Sequence, residues 1–385
     1  MSSPEQLPIG LFTPLRLGGL SLANRVVMAP MSRYFCRDEI PHEGVVEYYR
    51  RRAAANVGLI ISEATYIPHA SAHSYENVPV MYGEAALAGW RDVTEAVHRE
   101  GGRMFPQLWH TGSFRELGMH PDPNVPGFDA SENLNAFEHT THRTKPMTER
   151  DIADVIAAYG KAAQSAKDVG FDGVEIHGAH GYLIDSFFWS QTNRRTDGWG
   201  GDIRQRTRFG VEVVKEIRRC VGADFPISFR WSQFKQQDYR AKLAQTPEEL
   251  EQMLLPLVDS GVDIFHASAR RYWEPAFKDL SPVTLAGWTK KVTGKPSIAV
   301  GSVGLGGVAS TAKTSPARVD NTTISFADAP LAGVDKVEEL LAAGEFDLIA
   351  VGRALLADPE WATKVKEDRL MERRPFSTDL LHELH

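Results

Sequence analysis

The sequence predicts an α/β fold, a (β/α)8 TIM barrel, on three observations. Eight short apolar segments recur along the chain, separated by helix-patterned segments. Each apolar segment ends in polar, aromatic or cationic residues, as strand ends at a barrel mouth do. No Gly-x-Gly-x-x-Gly turn follows an early strand, which disfavours the competing doubly wound sheet; the Gly-rich piece at Gly304–Gly307 comes late and does not match that fingerprint.

In chain order, Arg25-Val-Val-Met-Ala29-Pro30 is an apolar run closed by proline, hence a strand followed by a loop. Tyr48 to Asn56 reads as a helix, and Gly58-Leu-Ile-Ile-Ser-Glu-Ala64 as a buried strand. Leu87, Trp90, Val93 and Val97 recur at helical spacing, with Gly101 as the stop. Arg103-Met-Phe-Pro-Gln107-Leu-Trp109 is the third strand. The polar stretch Thr111–Pro146 then reads as a long loop or hairpin lid, since loops of that length in compact chains usually serve function. Thr148-Glu-Arg-Asp151 has the form of a capping box. Ile152, Val155, Ile156, Tyr159, Ala163 and Ala166 follow on one helix face, ending at Gly170. Strands are expected at Gly173–His177, Pro226–Ser232, Asp263–Ser268, Ser297–Gly301 and Leu348–Gly352. Helices fit between them at Ile203–Arg219, from Thr246 with proline at its first position, around Pro282–Thr293 and at Val334–Ala343. Leu305–Gly333 is polar and short of apolar periodicity, an expected insertion after strand seven. The expectation is one barrel domain over 1–385, with insertions at 111–146 and 305–333.

Composition narrows the function. The chain is 42% hydrophobic and 24% charged, ordinary for a globular protein. A formal net charge of −7 argues against a general attraction to nucleic acid or anionic membrane. Two distant cysteines, Cys36 and Cys220, exclude a cysteine-ligated iron–sulfur cluster and give no zinc-finger spacing. The first residues lack a signal-peptide pattern, and no apolar run is long enough to span a bilayer. A cytoplasmic enzyme with no nucleic-acid or membrane partner is expected; a homo-oligomer is left open.

The chemistry concentrates at Glu175-Ile-His177-Gly-Ala-His180-Gly-Tyr182, where a strand breaks into two imidazoles and a phenol. The other strand ends supply Ala29, Pro30, Met31, Ser32, Ala64, Gln107, Trp109, Arg230, Ser268, Gly301, Ser302, Gly352 and Arg353. That set is hydrogen-bonding, aromatic and cationic without a compact acidic cluster, and suits a flat anionic cofactor. Gly301-Ser302 and Gly352-Arg353 fall where barrels bind phosphate, after strands seven and eight. Arg353 also adds a bidentate cation at the opening of the last helix. Gln107 pairs a donor with an acceptor, though an amide bridging two strands is also open to it. Arg230 opposes Phe229 and Trp231 across its strand and needs an anionic partner, a cofactor or an internal one such as Glu175.

With Ala29-Pro-Met-Ser32, Gln107-Leu-Trp109, Asn193-Arg-Arg-Thr-Asp197-Gly-Trp-Gly-Gly201 and Val351-Gly-Arg353-Ala-Leu-Leu-Ala-Asp-Pro359 in order, the chain resembles the old yellow enzyme family from about Leu11 to Trp361. The resemblance implies an FMN-dependent ene-reductase with tightly bound, non-covalent FMN and NAD(P)H as co-substrate. It works by a ping-pong cycle on α,β-unsaturated carbonyl or nitro compounds. It implies FMN binding by Ala29, Pro30, Met31, Ser32, Ala64, Gln107, His177, Arg230, Gly301, Ser302, Gly352 and Arg353. His177 and His180 would hold the substrate oxygen, Tyr182 would deliver a proton, and Tyr34 and Trp109 would face the substrate or simply pack. Asp197 with a nearby arginine reads as a loop-ordering ion pair. Arg270-Arg271-Tyr-Trp273 reads as a solvated loop or a phosphate contact. Two other readings compete. In one, Glu175, His177 and His180 form the metal site of a lyase or hydrolase barrel. In the other, the barrel binds flavin without catalysis.

Overall fold

The computed structural model describes residues 10–133, 143–304 and 333–385. The alternation of apolar segments resolves into eight parallel strands that close on themselves: β3 (Val26–Met28), β4 (Leu59–Tyr66), β5 (Met104–Trp109), β8 (Val174–His177), β9 (Ile227–Ser232), β10 (Ile264–Ser268), β11 (Ser297–Val300) and β12 (Leu348–Val351). β12 pairs with β3, so the ring has no open edge. A short antiparallel pair, β1 (Leu15–Leu17) and β2 (Leu20–Leu22), precedes the ring. Leu20 and Leu22 pack with Val27, Leu59, Ile61, Phe105, Ile264, Ile298 and Leu348, and so stopper the N-terminal end of the barrel with apolar side chains.

Helices α1 (Glu43–Ala54), α2 (Glu84–Arg99), α3 (Glu149–Asp168), α6 (Arg208–Val221), α7 (Pro247–Ser260), α8 (Leu285–Thr293) and α9 (Val334–Ala342) fill the connections. Their apolar faces cover the outward strand residues, Val26, Ile60, Leu108, Ile176 and Phe229 among them. The capping box of α3 forms as expected: Thr148 and Asp151 each accept an N–H from the other's backbone. Two helices differ most from the sequence reading. α1 begins at Glu43 rather than Tyr48, because the His42 side chain accepts the Gly44 N–H and caps the extra turn. The helix expected over Ile203–Arg219 divides at Thr207 into α5 (Ile203–Arg206) and α6. Beyond the barrel strands, α4 (Leu183–Phe188), α10 (Arg353–Ala357) and α11 (Trp361–Lys366) are short.

The described part of the segment after β5 is mostly loop. Its two short strands, β6 (Phe128–Asp129) and β7 (Lys145–Pro146), pair in parallel. Buried Arg115 organises the described part by donating to the carbonyls of His73, Met119, His120, Asp122 and Val125. Residues 134–142 of this loop, and all but Gly333 of the insertion expected at 305–333, lie outside the described residues. Among the described residues no helix is long and apolar enough to cross a membrane.

Candidate active site

Above the apolar floor, the barrel interior turns polar. Strand alternation points Gln107, Glu175, Ser228, Arg230 and His266 inward from four neighbouring strands. Glu175 is the hub. It accepts from Gln107 Nε2 at 2.8 Å, Ser228 Oγ at 3.0 Å and His266 Nδ1 at 2.8 Å. The His266 and Glu175 side chains have no solvent exposure. Burial alone would raise the Glu175 carboxyl, but His266, Arg230 and Gln107 outweigh it and hold the group below the usual carboxylate range. Glu175 is therefore ionised. Gln107 takes the strand-bridging arrangement with one N–H and keeps its carbonyl and second N–H.

Arg230 does not form the internal ion pair with Glu175 that the sequence left open. Among the described residues its buried guanidinium reaches Ser268 Oγ at a long 3.4 Å, and its Nε has no hydrogen-bond partner. Burial lowers its pKa while Glu175 raises it. A buried, under-satisfied cation is costly unless something anionic or hydrogen-bonding meets it. Arg230 lies where two cavities of about 330 and 180 Å3 adjoin. The smaller is lined by Ala29, Pro30, Met31, Gly301, Ser302, Gly352 and Arg353. The larger is lined by His180, Phe234, Gln236, Tyr239, Ser268 and Arg270, and shares Gly301, Ser302 and Arg353 with the smaller. The two phosphate-site turns expected from sequence thus meet on one space with Arg230. One detail of that expectation changes. α10 is only five residues long, so its dipole adds little, and backbone N–H groups with the Arg353 guanidinium supply the anion-binding character. Ser302 Oγ donates to the Arg270 carbonyl, which ties the turn after β11 to the loop after β10.

The His177–Tyr182 segment adjoins Arg230: His177 pairs with it across β8 and β9, and His180 lines the larger cavity beside it. His180 sits at positive φ, 66°, followed by Gly181 at 84°. This sharp turn brings the His180 ring back beside His177 at the strand end. The His177 and His180 rings meet edge to face at 5.1 Å, and Tyr182 lies 4.9 Å from His177. Burial, then the Arg230 charge, hold both imidazoles well below the usual histidine range, so both are neutral at pH 7. His180 Nε2 is 2.8 Å from Ser268 Oγ. Burial raises the Tyr182 phenol well above the usual tyrosine range, so it keeps its proton.

Aromatic rings enclose this segment. Trp109 meets Tyr182 edge to face at 4.9 Å and stacks between Tyr66 at 5.2 Å and Tyr75 at 5.8 Å. Phe114 packs on Tyr182 at 4.8 Å. Tyr34 is 46% exposed, takes φ 61°, lies 5.8 Å from Tyr75 and hydrogen-bonds Ser32. Ala64 is buried beside Gln107 across the β4–β5 pairing. Asp197 pairs with Arg195 at 2.6 Å, the loop-ordering contact expected.

Glu175, His177 and His180 do not assemble as metal ligands. The Glu175 carboxylate is consumed in the barrel interior, and among the described residues no group of three His, Cys, Asp or Glu side chains is disposed to hold a metal. Sequence reasoning missed Tyr75, Phe114, His266, Lys235, Asp185 and Gln236. His266 carried a signal, an inward histidine two residues before Ser268 on a barrel strand. Gln236 and Tyr75 sit in loops, where no periodicity marks direction.

A model of the NADH:flavin oxidoreductase / NADH oxidase family matches residues 10–335. The NADH oxidase of Thermoanaerobacter brockii is 33% identical over 374 residues, covering 94% of this chain; the chain spans 52% of that relative's length. Morphinone reductase in complex with tetrahydroNAD superposes with a TM-score of 0.77 at 29% identity, covering 97% of this chain and 94% of that one. The old yellow enzyme homologue from Zymomonas mobilis gives 0.75 at 25% identity, covering 97% and 96%.

Proposed function

The chain belongs to the NADH:flavin oxidoreductase / NADH oxidase family, the old yellow enzymes, and from that premise we propose that it is an ene-reductase using FMN and NAD(P)H. The carrying observation is Arg230: a buried guanidinium with an unpartnered Nε among the described residues, set where two cavities adjoin and paired across neighbouring strands with His177. The residues present fit FMN. Gly301, Ser302, Gly352 and Arg353 would hold its phosphate. Ala29, Pro30, Met31, Ser32, Ala64, His177 and the free groups of Gln107 would line its ring. Arg230 would neutralise charge on it. When bound, FMN supplies the two-electron chemistry that links NAD(P)H to the acceptor.

The rest is work for side chains. His177 and His180, both neutral, donate N–H groups to the acceptor's carbonyl or nitro oxygen and stabilise the negative charge that develops there. Tyr182 retains its proton at neutral pH and delivers it to the carbon beside the carbonyl. Tyr34, exposed beside Tyr75, offers a flat surface against which a conjugated substrate can lie, while Trp109, its faces covered by Tyr66 and Tyr75, packs behind Tyr182. An α,β-unsaturated carbonyl compound is the substrate class this arrangement suits best, with nitroalkenes second.

The purified protein is expected to carry about one FMN per chain and to lose its yellow colour with NADH or NADPH under anaerobic conditions. A colourless protein whose activity a chelator abolishes would return the metal reading. A yellow protein that neither nicotinamide bleaches would leave a flavin binder without catalysis.

A further inference from the structure

We propose that Gln236 is a positioning residue for proton delivery: its side-chain N–H holds the Tyr182 oxygen as an acceptor, leaving the phenol hydrogen for the substrate. The inference rests on the reading of Tyr182 as the proton donor.

Gln236 Nε2 lies 2.9 Å from Tyr182 Oη. A phenol oxygen has one hydrogen to give and lone pairs to receive. A donor on the oxygen occupies a lone pair and leaves the O–H free. An acceptor there would capture the hydrogen instead. The same N–H stabilises the phenolate formed as the proton departs. In the balanced step the Tyr182 O–H bond breaks and a C–H bond forms beside the carbonyl. Its electron pair comes from the enolate left once a hydride derived from NAD(P)H has added to the β-carbon. The phenolate is then reprotonated by solvent.

The surroundings hold this contact in register. The phenol ring is fixed by Trp109, Phe114 and His177, which leaves its oxygen little freedom. Hydrogen bonds, a ring stack and an ion pair stitch the loop bearing Gln236 to the His177–Tyr182 turn. Gln236 N donates to the His180 carbonyl at 3.2 Å, and Ser232 Oγ accepts the His180 N–H at 3.0 Å. Phe234 stacks on His180 at 5.2 Å. Buried Lys235 pairs with Asp185 at 2.7 Å, and Asp185 in turn accepts the Gly181 N–H at 2.6 Å. Gln236 itself is half-buried and lines the larger cavity, so its side chain can be changed without opening a void in the core. Its side-chain N–H is directed at the phenol, and catalysis is the step that uses that contact.

The test places 3,5-difluorotyrosine at position 182 and follows its ionisation by absorbance in protein stripped of FMN. Gln236→Leu removes the donor, and the midpoint is expected to rise by about one pH unit, the worth of one hydrogen bond. Gln236→Glu substitutes an acceptor and should raise it further. With natural tyrosine and FMN bound, the ratio of reoxidation by an enone to reduction by NAD(P)H should fall roughly tenfold in Gln236→Leu, in line with the same hydrogen bond. An unmoved midpoint, or an unmoved ratio while Tyr182→Phe is slow, overturns the role of Gln236. Undiminished enone reduction in Tyr182→Phe overturns the proton-donor reading itself, a separate failure that the titration cannot mimic.

Discussion

Tyr182→Phe is expected to slow reoxidation of the reduced enzyme by an enone by roughly two to four orders of magnitude, the usual worth of a general acid. FMN should stay bound, and reduction by NAD(P)H should keep its rate, because neither step draws on the phenol. The size of the loss follows from the neighbours. Burial holds His177 and His180 in their neutral forms, so neither carries a spare proton at pH 7. The Gln236 amide is no acid. The ring that phenylalanine keeps preserves the packing against Trp109, Phe114 and His177, so the change removes one oxygen and little else. Stopped-flow absorbance at the flavin band separates the two half-reactions. Enone reoxidation at the parent rate removes Tyr182 from the mechanism.

Lys235→Met is expected to cost about 3–5 kcal/mol of stability, the penalty for a buried charge left without its partner. Lys235 and Asp185 are both fully buried and 2.7 Å apart. Burial pushes the Asp185 carboxyl up, with Lys235 and the Gly181 N–H opposing, and it pushes the Lys235 ammonium down, with Asp185 opposing. Each charge is tolerated because of the other. Removing both, in Lys235→Met with Asp185→Asn, should therefore cost less than Lys235→Met alone, since the amide oxygen of the double variant still accepts the Gly181 N–H. Urea midpoints at constant slope measure this directly. Equal losses in the single and double variants would mean that the pair contributes only packing.

The barrel was legible in the sequence because each strand is an apolar run bounded by Gly or Pro, and each helix shows its 3.6-residue stripe. The strand-end residues were legible for the same reason: once β8 and β9 are placed, alternation dictates that Glu175, His177 and Arg230 point inward. Partnership was harder to read. In the sequence Glu175 was open to Arg230 or to a metal, yet it pairs with His266, 91 positions away, over the intervening strand β9, a contact that no local pattern encodes. The long polar segment after β5 read as a loop or hairpin lid from its length alone. In its described part Arg115 gathers five carbonyls into a compact loop and the short strands run parallel, contacts that length does not reveal. Lys235 and Gln236 sit in an irregular loop whose side chains are directed by contacts with α4 and Tyr182 in the tertiary fold.

A site that hands reducing equivalents to a conjugated carbon–carbon double bond can be caught doing so in a single turnover. The most direct measurement reduces the FMN-loaded protein with one equivalent of NADPH or NADH in the absence of oxygen, then adds 2-cyclohexenone. The yellow colour should return with one equivalent of cyclohexanone formed per flavin. Colour that stays bleached until air is admitted would contradict ene-reduction and mark the protein as an oxidase.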